Sequence, residues 1–477
     1  MIIKKTFPAC NYYSMFKRII LVLTFFIGIT YFAIAQQALT IKQAVQTALD
    51  NYGTIKAKAN YAKSSKESVE QAVKDMLPDL SVSAQQDWGT VNGQTGPSYG
   101  YRGLGVSSAG PALPSQNWNA AFGALYLTNI NWDFYSFGKL RERVKTVQAI
   151  LTRDENDLAQ EKFQHEVRVA GAYLNLLAAQ RFIRSWQNNL DRAEALRASV
   201  VARAKNGLIA GVDSSQANAE VSSAKISLTR AIDFAQEQSN QLAQLMGIPA
   251  QDFQLDTSFL ARVPSTAYDT VQAQQHPLLK YYQSRVVVSN EQAKYFHTFM
   301  YPTFSAFGIL QTRGSGFDYS YSQVNSDAYK TNYWDGVKPT RSNYLLGVGV
   351  TWNLTTPLRI KHQVAAQKYI SSGLRNEFEL VDQQLKAQTV LAQSKMKNAL
   401  SNYAEAPIQV KAASDAFQQK SVLYKNGLAN IIDVTQALYI VNRAETDRDV
   451  ANTNVWQALL LKAAAGGDFG VFINEFQ

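Results

Sequence analysis

Four stretches of the chain alternate apolar and polar positions with period two, the pattern of a β-strand with one apolar and one polar face. They lie near residues 80–88, 119–134, 303–312 and 343–354. The second stretch is the clearest, with one face formed by Phe122, Ala124, Tyr126, Thr128, Ile130, Trp132 and Phe134. An apolar face that ends in Trp or Phe is typical of a strand that faces lipid. A soluble β-sandwich with an aromatic core is the alternative.

Most of the remaining chain has the spacing of a coiled coil, with apolar residues at alternating steps of four and three. One copy of this pattern comprises Ala217, Val221, Ala224, Leu228, Ala231, Ala235, Leu242 and Leu245. A second comprises Ala437, Val441, Ala444, Ala451, Val455 and Ala458. Residues 139–205 and 359–425 form segments of 67 residues each. Each would be about 100 Å long if wholly helical, a length that suits the periplasm better than a globule.

The chain carries an internal duplication. Residues 204–217 return as residues 424–437, an offset of 220, and both copies contain Lys-Asn-Gly-Leu and an aspartate six residues after the glycine. Closer to the N-terminus the offset is 224, since Met76-Leu77-Pro78 corresponds to Met300-Tyr301-Pro302. The duplication predicts two tandem structural repeats, approximately residues 36–255 and 256–477. Each would run helix, strand, long loop, strand, long helix, tight turn and long helix.

Two loops of about 30 residues separate the paired strands, from Gly89 to Trp118 and from Arg313 to Ser342. Both are rich in Gly, Ser, Tyr and Asn. Outer-membrane barrels place long polar loops outside the cell and short connections inside. The loops are therefore predicted to face the exterior.

Residues 1–35 have the pattern of a signal peptide, with a basic pair, an apolar run and then Ala33-Ile34-Ala35 as a cleavage site. The mature chain is predicted to begin at Gln36. A transmembrane anchor is the alternative, although the apolar run is shorter than the roughly 20 residues that a bilayer-spanning helix needs. The single cysteine, Cys10, lies in this segment. The mature protein is thus expected to contain no disulfide and no cysteine for a lipid anchor.

The charge of the chain gives no sign of nucleic-acid binding. The formal net charge is +10, and removing the four basic residues of the leader leaves 43 basic against 37 acidic residues, or +6. No basic run with interleaved aromatic residues accompanies this excess. No other apolar stretch has the length of a membrane span, so a mature protein that crosses a bilayer is expected to do so as a β-barrel.

The sequence shows no set of residues that would support enzyme catalysis. The four histidines, His165, His276, His297 and His362, are far apart and lack the spacing of metal ligands. No catalytic triad context or phosphate loop appears, and Gly100–Gly105 lacks the following helix that a dinucleotide fold needs. We expect no catalytic residue, no cofactor and no metal.

Together these features resemble the TolC-like outer-membrane efflux proteins over essentially all of residues 36–477. The residues that support the resemblance are the duplicated Lys-Asn-Gly-Leu motif with its aspartate, the prolines Pro78 and Pro302 that open each first strand, and His276-Pro277-Leu278. The resemblance implies a mixed fold, a transmembrane β-barrel continued by a long α-helical barrel. It also implies a homotrimer, in which four strands per chain form a 12-stranded barrel. Four strands cannot close alone, and a barrel of eight would be filled by its own side chains.

The resemblance assigns two kinds of site. Gly207-Leu208 and Gly427-Leu428 fall at the family's helical hairpin tips, which dock a periplasmic adaptor (membrane fusion) protein. Asp433, Gln436, Asp213 and Tyr424 fall at the family's pore constriction. The sequence departs from the family pattern, since Gln436 replaces an acidic residue and Ala429 replaces the basic residue that latches the closed state. The alternative roles are left-handed helix caps for the two glycines and a helix N-cap for Asp433.

The implied function is that of an outer-membrane exit duct in a tripartite efflux or type I secretion system. Such a duct passively conducts substrates from the adaptor and an inner-membrane transporter to the exterior. The expected partners are two further copies of the chain, the adaptor, the transporter and outer-membrane lipid. A periplasmic or surface coiled-coil protein, such as an adaptor or adhesin stalk, is the alternative.

Overall fold

A computed structural model of the protein describes residues 38–93, 112–268 and 275–476. The predicted signal peptide, Gln36 and the middle of the first long loop lie outside these residues. The described residues form two compact units. We call the one drawn from Met1–Ala57, Leu158–Leu278 and Val381–Gln477 the helical unit. The other, from Lys58–Asp157 and Leu279–Leu380, is the sheet unit.

The secondary structure follows the order expected for two repeats. The strands are β1 (Asp79–Thr90), β2 (Ala120–Tyr135), β3 (Thr303–Ser315) and β4 (Arg341–Thr351). The helices are α1 (Ile41–Asn51), α2 (Gly53–Lys74), α3 (Lys139–Lys205), α4 (Gly211–Met246), α5 (Pro277–Thr298), α6 (Tyr333–Val337), α7 (Thr356–Lys425), α8 (Ile431–Gly466) and α9 (Gly470–Ile473). Short 3₁₀ turns lie at Ser258–Ala261, Ser265–Tyr268 and Asn474–Phe476.

The sheet unit contains one antiparallel sheet of order β1-β2-β3-β4. The register pairs Leu80 with Ile130, Ile130 with Gly308, and Gly308 with Leu346, so these positions share one face. We call this side the apolar face. Its exposed members are Leu80, Val82, Trp88, Ile130, Trp132, Leu310, Tyr344, Leu346, Val348 and Val350. A sheet that leaves such a face uncovered requires an apolar environment or a partner.

The opposite face mixes polar side chains, among them Ser81, Ser83, Asn131 and Asp133, with apolar ones. Leu127, Ile309 and Leu345 lie there in neighbouring strands. Phe307 covers Gly347 so closely that a Cβ on that glycine would lie 2.5 Å from the ring. The glycine therefore makes room for the ring.

The same hydrogen bond closes both strand pairs. The indole nitrogen of Trp132 donates to the carbonyl of Met76, and that of Trp352 donates to the carbonyl of Met300, both at 3.1 Å. Each bond joins the end of a second strand to the turn before the first strand. The internal duplication is thus visible in individual contacts as well as in the order of elements.

The helical unit has a core to which the long helices α3, α4, α7 and α8 all contribute. Its fully buried side chains include Tyr173, Leu174 and Leu177 of α3, Leu242 of α4, and Trp456 and Leu459 of α8. A capping box between Thr40 and Gln43 starts α1, which adds Ile41, Ala44 and Ala48 to this core. Among the described residues, no helix has the length and apolar character needed to cross a membrane.

The helices α4 and α8 are equivalent elements of 36 residues each. Both end at a left-handed glycine, Gly247 with φ of 66° and Gly467 with φ of 74°. Most of the predicted coiled-coil positions are buried, while Leu228 and Leu245 are half-buried. Small clusters that draw on α3, α4, α7 and α8 lie along these seams. Alanines at the seams let neighbouring helices approach closely.

Candidate functional site

Two tight turns join the long helices, one between α3 and α4 and one between α7 and α8. Gly207 has a φ of +69° and Gly427 a φ of +75°, the left-handed region that favours glycine. The amide of Leu208 donates to the carbonyl of Arg203 at 3.0 Å, and that of Leu428 to the carbonyl of Leu423 at 2.9 Å. With a second bond from each glycine amide, both turns are Schellman motifs. The cap interpretation of the two glycines is therefore correct.

The leucine after each glycine points away from the protein. In a Schellman motif an apolar residue at this position frequently packs back on the last helical turn. Here Leu208 is 67% exposed and Leu428 is 75% exposed. Val212 and Ile432, at the start of the following helices, are exposed as well. Each turn thus presents apolar side chains to its surroundings without a covering element among the described residues.

A small core supports both turns from within the helical unit. It consists of Val200, Ala217, Tyr424, Ile431 and Val434, with Ile209 and Ala429 packed against it. Ala429 is the position where the family resemblance leads us to expect a basic residue. The alanine contributes to the core, so the two turns are held in fixed positions by packing.

Arg203 connects the two turns. Its guanidinium donates to the carbonyl of Tyr424 at 2.8 Å and lies 5.3 Å from the centre of the Tyr424 ring. The same carbonyl accepts the amide of Gly427 at 3.1 Å. The last turn of α3 and the last turn of α7 are therefore linked through one oxygen.

Tyr424 is buried in this arrangement, and its hydroxyl has no hydrogen-bond partner within the described part of the chain. Burial raises the pKa of the Tyr424 hydroxyl, and the negative charge of Asp213 raises it further, while the positive charge of Arg203 lowers it. Asp213 and Tyr424, both predicted at the constriction, are thus close enough to interact. Within the chain, the Tyr424 side chain is part of the small core that supports the two turns.

Asp433 is the third residue of α8. The alternative prediction that Asp433 is the N-cap of this helix is wrong. The cap is Asn430, whose side-chain oxygen accepts the amide of Asp433 at 2.8 Å. The Asp433 carboxylate is partly exposed and lies 3.9 Å from the ammonium of Lys420. The carboxylate is therefore not used for capping and is free of a close, buried ion pair.

The other two predicted constriction residues, Asp213 and Gln436, lie near the starts of α4 and α8. Asp213 is the third residue of α4, whose N-cap, Ala210, makes no side-chain bond. Gln436 is exposed on α8, one turn after Asp433. The carboxylates of Asp213 and Asp433 each lie in the first turn of a helix, where the helix dipole stabilises negative charge.

Sequence reasoning missed Arg203 and Lys420. At the repeat offset of 220, Arg203 corresponds to Leu423, and Lys420 corresponds to Val200. A charged residue in one copy opposite an apolar residue in the other was the available signal. No three His, Cys, Asp or Glu side chains of the described residues lie close enough together to hold a metal ion.

Comparison with protein families gives a match over residues 44–248 to the model described as outer membrane efflux protein. The predicted resemblance is confirmed. The matched region contains all of α2, β1, β2, α3 and α4, with the turn between α3 and α4. A comparison with curated proteins finds no significant match.

Solved structures of channels share the fold. VceC of Vibrio cholerae, an outer membrane protein, superposes with a TM-score of 0.69 at 16% identity, over 90% of this chain and 96% of that chain. The Campylobacter jejuni CmeC outer membrane channel gives 0.70 at 14% identity, over 90% and 85%. The open state of the Neisseria gonorrhoeae MtrE outer membrane channel gives 0.67 at 14% identity, over 90% and 89%.

The fold is therefore that of the TolC-like channels, as predicted, with internal duplication and four strands among the described residues. The family and the structural neighbours are outer-membrane proteins and channels. The matched family model is one of outer membrane efflux proteins, and the fold is shared with outer membrane channels.

Proposed function

We propose that this protein is the outer-membrane exit duct of a tripartite efflux or type I secretion system. Three copies would close a 12-stranded barrel in the outer membrane, and the long helices would continue it into the periplasm. The duct itself would conduct substrates passively, with the energy supplied by an inner-membrane transporter.

The observation that carries the proposal is the exposed apolar face on a four-stranded open sheet. In water, an uncovered set of Leu, Val, Tyr and Trp side chains of this size would drive aggregation. In a bilayer, the same face is solvated by lipid, and the free edges of β1 and β4 can pair with neighbouring copies. A barrel made from three sheets has the twelve strands that leave an open interior.

The exposed leucines at the two hairpin tips are consistent with docking of a periplasmic partner. Leu208 and Leu428 are exposed at two turns that a common core and Arg203 hold in place. We propose that they insert into an apolar groove of the adaptor protein. Arg203 is then a candidate for the link between turns that Ala429 cannot supply.

The test is the oligomeric state of the membrane-extracted protein. We expect the mature chain to fractionate with the outer membrane and to run as a trimer in gentle detergent. On boiling, we expect the trimer band to disappear and a monomer band to take its place, because closed barrels resist detergent until they are heated. Recovery of a soluble monomer from the periplasm would contradict the proposal and favour a coiled-coil structural protein.

A further inference from the structure

The second long loop, between β3 and β4, is a folded element. Its rings of Phe317, Tyr321 and Tyr329 pack together, with Phe317 centred 4.8 Å from Tyr321 and 6.0 Å from Tyr329. Tyr321 is buried, and the amide of Lys330 donates to the carbonyl of Gly316 at 2.8 Å. This small core fixes the position of the residues that follow, which form α6.

The helix α6 lies against the apolar face of the sheet. The hydroxyl of Tyr126 donates to the carbonyl of Val337 at 3.1 Å, and the hydroxyl of Tyr333 donates to the side-chain oxygen of Gln86 at 2.8 Å. The ring of Tyr333 meets that of Phe122 edge-on at 5.2 Å. Phe122, Tyr126 and Gln86 all lie on the same side as Leu80 and Ile130 in the strand register. The helix is therefore on the side predicted to face lipid.

Glycines provide a close-fitting seat for this helix. A Cβ on Gly336 would lie 2.3 Å from the carbonyl oxygen of Phe122, and one on Gly314 would lie 2.6 Å from the carbonyl oxygen of Gly336. Only glycine permits such an approach of helix backbone to sheet backbone. The main contacts of α6 are to β2 and β3, so the helix lies over the central strands of the sheet.

The helix brings aromatic side chains to one end of the apolar face. Trp334 of α6 is 71% exposed, and Trp88 at the end of β1 is 52% exposed. The opposite end of the face carries Trp132 and Trp352. From Phe122 to Trp132 the strand rises about 33 Å, or about 25 Å along the membrane normal after a tilt of roughly 40°. That height equals the apolar band of an outer-membrane barrel, so α6 lies at the level of an interface.

We propose that α6 is an interfacial anchor that lies among the lipid headgroups of the outer leaflet, with the Trp334 ring at the boundary between headgroups and acyl chains. The loop is at the end of the strands opposite to α3 and α7, the end that the proposed function places outside the cell. The segment 330–341 carries Lys330, Lys338 and Arg341 against Asp335, a net charge of +2. This charge complements lipid phosphates, which Tyr and Trp rings accompany at membrane interfaces.

This inference rests on the proposed function, so the experiment tests the two separately. Three single-cysteine variants, Trp334→Cys, Val324→Cys and Leu346→Cys, are made in a chain with Cys10→Ser and labelled with an environment-sensitive fluorophore. The trimers are reconstituted in vesicles of phosphatidylethanolamine and phosphatidylglycerol. Quenching is measured with spin-labelled lipid, with the label either near the headgroup or deep in the acyl chain, and with aqueous iodide.

Leu346 lies in the middle of the apolar face and is 74% exposed, whereas Val324 is 99% exposed at the tip of the same loop that carries α6. We expect the deep quencher to act on the Leu346 label and iodide to act on the Val324 label. The Trp334 label should be quenched severalfold more by the shallow lipid quencher than the Val324 label. If Trp334 responds to iodide as Val324 does while Leu346 is quenched by lipid, the anchor is wrong and the barrel stands. If Leu346 responds only to iodide, the membrane-spanning sheet itself is wrong.

Discussion

At the scale of single residues, the most consequential side chain is Asp433. Its carboxylate is not used as a helix cap and has Lys420 only at 3.9 Å. In the proposed trimer, the residue lies less than two helical turns from the tip and three-fold symmetry would repeat its charge three times. At an assumed separation of roughly 7 Å, each pair of carboxylates would repel by about 2 kcal/mol at an effective dielectric constant of about 20.

We therefore expect Asp433→Asn to reduce the cation selectivity of single channels and to weaken block by multivalent cations. The amide preserves the size of the side chain and leaves the Asn430 cap intact. Lys420→Gln is the matched control, since it removes the nearby positive charge and should shift selectivity in the opposite direction. Equal selectivity and block in Asp433→Asn and the unaltered protein would exclude a pore role for this residue.

His276 makes stability depend on pH. Its Nδ1 accepts the amide of Leu278 at 3.1 Å, and its Nε2 lies 3.0 Å from the carbonyl of Ala464, so both bonds require the neutral ring with hydrogen on Nε2. Burial lowers the pKa of His276 below its usual 6.5, against a smaller opposite effect of the bond to Ala464. The unfolded chain thus binds the proton more tightly. Stability is full above about pH 6.5 and falls as the pH drops below it toward the pKa of the folded protein.

The variant His276→Asn should be less acid-sensitive. The Asn side chain retains an acceptor for the Leu278 amide but does not titrate, and loss of the bond to Ala464 costs about 1 kcal/mol at neutral pH. The measurement is the thermal midpoint of the detergent-solubilised protein above and below pH 6.5. His362→Asn is the control, because its side chain is exposed. If acid lowers the thermal midpoint of His276→Asn as much as it lowers that of the control, the assignment is contradicted. His165, also buried with a lowered pKa, accounts for the acid sensitivity that remains.

At this scale the sequence predicted backbone geometry better than side-chain partners. The left-handed glycines at 207 and 427 follow from their place between two helical patterns. The choice of Asn430 over Asp433 as the N-cap did not follow, because both residue types are good caps and helix boundaries inferred from sequence are uncertain by a few residues. The Arg203 contact depends on how two distant helices pack, which no local pattern specifies.

At the scale of elements, the two hairpin tips are rigid turns with exposed leucines, and this form suits docking. We expect the double variant Leu208→Asp, Leu428→Asp to lose export almost completely while it still assembles as a trimer. The double variant Asn206→Asp, Asn426→Asp is the matched control. It adds the same charge to the same turns without removing apolar surface, so its export should be reduced far less.

Export and trimer recovery are measured for both double variants, together with co-purification of the adaptor. Unchanged export in the leucine variant would exclude the tips as the docking site. Loss of the trimer in that variant alone would instead assign the leucines to folding.

The long elements were predictable because their patterns persist over many residues. The helix α3 spans Lys139–Lys205, the segment inferred from coiled-coil spacing, while α7 begins at Thr356, three residues before the inferred start at Arg359. Pro357 occupies the first turn of α7, where its missing amide hydrogen costs nothing. The helix α6 was missed, since five residues carry no periodic signal and its stability comes from contacts with Gly314 and the sheet.

At the scale of the whole molecule, the duplication was the strongest sequence signal and it led to the correct fold. It is repeated in the bonds of Trp132 and Trp352 and in the turns at Gly207 and Gly427. The assembly could not be predicted from the sequence pattern in the same way. The number of copies and the identity of the adaptor depend on surfaces of several chains, and a periodic pattern within one chain describes only which of its faces are apolar.

The open edges of the sheet constrain how such a channel can be made. Among the described strands, β1 and β4 each pair on one side only, so a single copy has two rows of unpaired amide and carbonyl groups. Hydrocarbon offers these groups no partner, and each unpaired group there costs several kcal/mol. A lone subunit is therefore a poor candidate for insertion. In the proposed trimer, three newly secreted chains would have to come together before, or while, they enter the bilayer, so the rate of channel formation should depend steeply on how fast the chain is delivered to the periplasm.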